Sequence, residues 1–169
     1  MAQHTENTIK VNVPASKIWE VLKDFSSAEN YSVEIATSPI INDIQSGLGA
    51  KRKCSFNNGT SLVEEIIEYK EGNGYKMALS ESSMPMKYMN TAMWVTEIDS
   101  KSSEIKMEAE FGMKGGPLGW LMGACMMKPM MKGLFYKVMT GLAFYCVDGK
   151  RLDGELPSKE ELAKILGGG

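Results

Sequence analysis

Acid–base chemistry in this chain comes down to Arg52, Glu65 and Glu81, which sit on neighbouring strand-like runs. Asn58-Gly59 reads as a two-residue type I′ turn, since both positions accept positive φ; it would set Arg52 opposite Glu65 and Lys53 opposite Glu64. A Gly72-Asn73-Gly74 loop would pair Glu71 with Tyr75, Tyr69 with Met77 and Ile67 with Leu79, and further along bring Glu81 opposite Glu65. Two carboxylates facing each other in an apolar interior push one pKa upward, while Arg52 holds the other ionised. Glu65 and Glu81 are therefore the candidate acid and base. The plainer reading is a solvated surface pair, because a one-residue slip in either hairpin turns these side chains outward.

Other chemistries lack their parts. His4 is the single histidine and lies in a polar stretch, residues 1–7, expected to be a flexible tail, so no Ser-His or Cys-His pair is available in the folded body. Cys54, Cys125 and Cys146 have neither an even count nor metal-ligand spacing, which argues against a disulfide framework and a zinc site alike. Cys125 and Cys146 fall in apolar helix, where burial raises a thiol pKa and leaves it inert. Gly47-Leu48-Gly49 is a lone GxG with no helix after it, too slight for a phosphate loop. A net charge of −2 with dispersed Lys and Arg offers nucleic acid no footprint. The opening MAQHTENTIK is polar where a secretory signal needs an apolar run, so the expectation is a cytoplasmic protein.

The elements that must position these residues surround one stretch, Gly115 to Tyr145. Met131, Leu134, Phe135, Val138, Met139, Leu142, Tyr145 and Cys146 share one broad arc of a helix. Pro129 would bend that helix or start it afresh. Gly115 to Met127 is uncharged but shorter than the ~20 residues that cross a bilayer. The plainer reading of this stretch is a core helix; the alternative, which Gly119, Gly123 and Trp120 suit, is a flap that opens toward a membrane surface or admits a lipophilic ligand and would allow transient membrane contact.

Before this helix, Ile9, Val11 and Val13 alternate as a strand that Pro14 ends. Two short helices follow, one over about Lys17 to Phe25 capped by Ser16, the next capped near Ser26 or Ser27. Ala36 to Met113 reads as strands throughout. Asp99 to Ser103 is a turn, and pairing Glu97 with Lys106 would set Ile98 against Ile105, Thr96 against Met107, Trp94 against Ala109 and Ala92 against Phe111. Asn90 and Tyr88 would lie on that same inner face, polar tips on an apolar wall able to orient a ligand. At the end, Pro157 and Ser158-Lys159-Glu160-Glu161 form a capping box for a short helix carrying Leu162, Ile165 and Leu166, closed by Gly167 to Gly169. No linker divides the 169 residues, so a single domain is expected. Fourteen Met favour a forgiving interior.

VNVPASKIWEVLKDFSSAENY (Val11 to Tyr31) resembles the opening of the bacterial polyketide cyclase/dehydrase and lipid-transport (SRPBCC) family, and GGPLGWLMGACMMKPMMKGL (Gly115 to Leu134) resembles its run into the last helix. The likeness spans roughly residues 8 to 148. It implies the START-like, birch-pollen-allergen-like helix-grip fold: a curved seven-stranded antiparallel sheet wrapped around a long C-terminal helix, α+β in class, with a lipophilic cavity between them. A lone histidine cannot supply the two His and a carboxylate that hold iron in oxygenase subunits of this fold. No metal, cofactor or prosthetic group is implied. The expected function is binding or transport of a small lipophilic molecule. Its ligand-contacting residues would be Arg52, Glu65, Met77, Leu79, Tyr88, Asn90, Trp94, Met107, Phe111, Phe135, Met139 and Leu142, with Ala109 on the same wall. The alternatives are a polyketide cyclase/aromatase-like enzyme using the same cavity, and a protein-binding module.

Overall fold

The computed structural model describes residues 1–167. Seven strands form one antiparallel sheet in the order β1-β7-β6-β5-β4-β3-β2. They are β1 (Gln3–Val11), β2 (Ile35–Thr37), β3 (Lys51–Phe56), β4 (Ser61–Lys70), β5 (Gly74–Ser80), β6 (Met86–Asp99) and β7 (Ser102–Met113). Between β1 and β2 come α1 (Ala15–Leu22), a short 3₁₀ turn (Phe25–Ser27) and α2 (Ala28–Tyr31). After β7 come α3 (Gly116–Met122), a π-helical turn (Gly123–Met127), α4 (Lys128–Asp148) and α5 (Lys159–Ile165). This is the expected helix-grip architecture.

β1 begins earlier than its alternating apolar residues indicate. Residues 3–7 pair with β7, Gln3 opposite Phe111 and Asn7 opposite Met107, so they are strand where a flexible tail was expected. Gln3 and Thr5 are buried, which explains why hydrophobic alternation does not reveal them. Pro14 caps α1, whose Ile18, Trp19 and Leu22 are buried. The next cap is Asp24, which accepts from the Ser26 amide at 3.1 Å. The expected capping box is present: Ser158 Oγ accepts from the Glu161 amide, and Glu161 accepts from the Ser158 amide. The strand-like pairing of Leu166 with Val11 fastens α5 to β1. Gly168 and Gly169 of the expected terminal stop lie outside the described residues.

Pro129 sits one residue into α4, where Met127 and Lys128 are already helical, so its missing amide leaves a carbonyl of the preceding π turn without an intrahelical donor. The break before it is a π turn, with the Lys128 amide donating to Gly123 O five residues back. From there α4 lies across the concave face of the sheet against β1 and β7, with α1 and α2 on its flank. Phe135, Met139 and Leu142 are buried between helix and sheet, together with Phe111 and Ala109 of β7.

Three registers differ from expectation, each for a local reason. The β3–β4 loop has three residues, Asn57-Asn58-Gly59: the Phe56 amide donates to Thr60 O (2.8 Å) and Gly59 takes φ +85°. Asn58 Oδ1 accepts from both the amide and the hydroxyl of Thr60, which fixes that longer loop. Arg52 therefore faces Glu64, and Glu65 faces Lys51. The β4–β5 loop is Glu71-Gly72-Asn73, and an irregularity at Ile67 reverses the faces further along β4. Ile66, not Ile67, meets Met77; Glu65 is opposite Ala78; and Glu81 lies past the end of β5, exposed, at φ +53°. The β6–β7 turn is tighter than expected because Asp99 Oδ1 accepts from the amides of Lys101 and Ser102, at 2.8 Å each. Val95 thus meets Ile105 and Met93 meets Met107, which turns Met89, Thr91 and Met93 inward and Tyr88, Asn90 and Trp94 outward.

Candidate ligand cavity

Alternation along β4, β5, β6 and β7 sends one side chain in two toward α4. Leu62, Glu64, Tyr75, Met77, Leu79, Met89, Thr91, Met93 and Met107 arrive on the inner face this way, and Met131, Leu134, Phe135 and Val138 meet them from α4. They do not close on one another completely. A cavity of ≈ 140 Å³ remains between sheet and helix, mostly apolar and rich in methionine. It runs outward into a groove of ≈ 560 Å³ between the Phe56–Leu62 hairpin, the Ser82–Met84 loop and the start of α4. Glu34 stands at this mouth, tied to Lys137 at 3.0 Å.

Polar groups gather at the inner end. The Arg52 guanidinium is buried; Nε donates to Glu64 Oε2 at 2.6 Å, and Nη2, 2.6 Å from the same oxygen as an ion pair, donates to Met77 Sδ at 3.7 Å. Nη1 donates to Phe25 O at 2.7 Å, and the guanidinium carbon lies 4.2 Å from the centre of the Phe25 ring. Burial opposes this charge, but the Glu64 carboxylate acting together with Cys54, Tyr75 and Tyr31 outweighs it and holds the arginine pKa above its usual range. Cys54 Sγ donates to the same Oε2 at 3.4 Å; burial, with the Glu64 charge behind it, pushes this thiol well up and keeps it protonated. No described group donates to Glu64 Oε1, the second oxygen of that carboxylate.

Tyr31 and Tyr75 border the same end. Burial pushes both phenols above their usual pKa, so both are protonated and able to donate. Tyr75 is only 1% exposed and stacks edge-on against Phe25, yet its hydroxyl makes no well-formed hydrogen bond among the described residues, the Tyr31 phenol beside it being its one polar neighbour of that kind. The Thr91 hydroxyl, in a residue 6% exposed, makes none either. Tyr75 pairs with Met93, and Thr91 pairs with Met77, so the two hydroxyls are diagonal neighbours on the inner face of β5 and β6. A buried hydroxyl without a partner costs about 1–3 kcal/mol, and native proteins carry few of them.

Of the residues expected from sequence, the cavity brings together Arg52, Met77, Leu79, Met107 and Phe135. Phe111, Met139 and Leu142 lie in the solid core beside it. Glu65 forms a half-exposed pair with Lys51 at 3.2 Å. Trp94 is on the outer face, donating to Glu108 Oε1 at 2.9 Å beneath Lys70, while Tyr88 packs over Gly112 there. Glu65 and Glu81 are therefore not the facing pair the assumed registers imply. Sequence reasoning did not single out Glu64, Tyr31, Tyr75 or Thr91. Glu64 was one loop residue away, and Thr91 was in plain alternation with Met89 and Met93. A potential cation cluster of His4, Glu6 and Glu108 lies on the outer face, where Lys106 already bridges the two carboxylates at 3.0 and 3.2 Å.

The family model described as polyketide cyclase / dehydrase and lipid transport matches residues 2–146. No curated protein matches the chain. Among solved structures, one similar to it is norcoclaurine synthase from Thalictrum flavum in complex with dopamine and hydroxybenzaldehyde, 16% identical over 90% of this chain and 90% of that one, with a TM-score of 0.69. The Zhui aromatase/cyclase from Streptomyces sp. R1128 is 12% identical over 89% of this chain and 99% of its own, with a TM-score of 0.65. A protein from Thermobifida fusca is 18% identical over 85% and 92%, with a TM-score of 0.68. At these identities the likeness is one of fold.

Proposed function

We propose that this chain, which belongs to the polyketide cyclase / dehydrase and lipid transport family, binds a small lipophilic molecule bearing one hydrogen-bonding group. The observation that carries this reading is the pair of buried hydroxyls, Tyr75 and Thr91, neither in a well-formed hydrogen bond, on the wall of a mostly apolar cavity. Size limits the guest. An engineered cavity of about 150 Å³ takes up benzene, so ≈ 140 Å³ suits one ring, with any tail lying along the groove. Apolar burial supplies the affinity at roughly 25 cal/mol per Å². Tyr75 donates to the guest's oxygen, Thr91 donates or accepts, and Glu64 Oε1 accepts from a guest hydroxyl. A phenol or a cyclic ketone meets these terms, for carriage, sequestration or sensing. The norcoclaurine synthase structure holds two phenols of that scale.

Calorimetric titration with 4-ethylphenol and ethylbenzene tests the assignment. The phenol is expected to bind more tightly. Tyr75→Phe and Thr91→Val should each remove about five- to tenfold of that preference while leaving ethylbenzene unaffected. Equal affinity for both ligands in the wild type would refute the polar half of the proposal.

A second reading, cyclase-like proton transfer on a folded polyketone, has one structural support. Glu64 lines the cavity, with Arg52 fixing one of its carboxylate oxygens. In that reading Glu64, rather than Glu65 or Glu81, moves the proton.

A further inference from the structure

In α3 and the π turn the usual amphipathic arrangement is inverted. The face toward the sheet is glycine: a Cβ at Gly119 would overlap the Lys114 carbonyl, and one at Gly123 would overlap the Gln3 side-chain amide. Gln3 in turn donates to Trp120 O at 2.9 Å, fastening the helix to β1. The large apolar side chains point the other way. Leu118 is 77% exposed, Leu121 51%, Met126 66% and Met130 55%. Their spacing of three, five and four residues is one stripe, because the π turn spans five residues where an α turn spans about four. Met130 also lines the groove into the cavity, so the stripe runs directly to its mouth.

The charge along this segment is of one sign. Between Glu110 and Asp148 the chain has no acidic residue, while Lys114, Lys128, Lys132 and Lys137 all fall within it. Lys128 and Lys132 border a shallow groove beside Pro129, and the one carboxylate there, Glu6, is held by Lys106 at 3.0 Å. Exposed leucine and methionine, a half-exposed Trp120, and Lys128 and Lys132, which pair with no described carboxylate as Lys137 does with Glu34, are what an anionic lipid surface recognises. A second copy of the chain is a poorer occupant, because a two-fold interface through this face would bring lysine against lysine.

We propose that the α3–π–α4 stripe docks on anionic membrane surfaces, with Leu118, Leu121, Met126 and Met130 entering the headgroup boundary and the lysines meeting lipid phosphates. This places the cavity mouth beside the bilayer, where a lipophile could pass without crossing water. That exchange rests on the ligand-binding reading, whereas the docking does not.

Co-sedimentation with phosphatidylcholine vesicles, and with vesicles containing phosphatidylglycerol, tests the docking on the full chain without any ligand. Binding should require the anionic lipid. Replacing both lysines, Lys128→Gln with Lys132→Gln, should weaken it about thirtyfold. Leu118→Ser with Leu121→Ser should weaken it at least tenfold, with circular dichroism unchanged because both side chains are exposed. Absence of binding to anionic vesicles would overturn the proposal, as would binding that survives both double variants. So would a wild-type dimer in sedimentation that the leucine variants convert to monomer. Failure here together with intact phenol binding would leave the cavity assignment standing.

Discussion

Glu64 is the residue on which the polar end of the cavity turns. One of its oxygens accepts from Arg52 Nε and forms an ion pair with Nη2, and the guanidinium, buried against Phe25, has no other described carboxylate. Removing one partner of such a pair strands the other charge. Glu64→Gln should therefore lower stability by about 3–5 kcal/mol in urea unfolding. Arg52→Met combined with Glu64→Leu should cost less than the sum of the single variants, since it removes both charges and leaves chiefly Phe25 O without a donor. Strict additivity would mean the pair is not coupled. The same geometry separates stability from recognition: neither Tyr75 nor Thr91 is in a well-formed hydrogen bond, so Tyr75→Phe and Thr91→Val should leave the fold as stable as before or slightly more so.

At the scale of elements, the order of strands and helices was legible because periodicity is a long-range average: two residues for β7, an apolar arc for α4, a capping box for α5. The registers were not, because each depends on a single loop residue. Asn57-Asn58-Gly59 and Asn58-Gly59 both grant Gly59 its positive φ, yet they differ by one residue and hence by which carboxylate faces Arg52. β6 was ambiguous for another reason. Met89, Thr91 and Met93 are no more apolar than Tyr88, Ala92 and Trp94, so composition does not choose between the faces. Gly119 and Gly123 fit either a packed helix or a flap on sequence alone; in the fold they are points of close contact with Lys114, β1 and β7. Gly123→Val tests this. It should force the Gln3 side chain and Met113 aside at a cost of about 1–3 kcal/mol, seen as a Tm lower by roughly 2–12 °C. An unchanged Tm would mean α3 is not held there.

For the molecule as a whole, a curved sheet of seven strands and a long helix are brought together by buried residues from nearly every element, and their packing leaves a methionine-lined space below α4. No described helix is long and apolar enough to cross a membrane. In the proposed reading the molecule's interior takes a lipophile through a mouth that lies beside an exposed apolar surface. Methionine thioethers adapt to guests of varied shape, and their methyl groups also report on them. Methyl NMR of Met-labelled protein during titration with 4-ethylphenol is the most direct test of the cavity. The account predicts saturable shifts at Met77, Met89, Met93, Met107 and Met131, with Met139, buried outside the cavity, unmoved. Shifts confined to Met126 and Met130 on the surface, or none at any methionine, would contradict it.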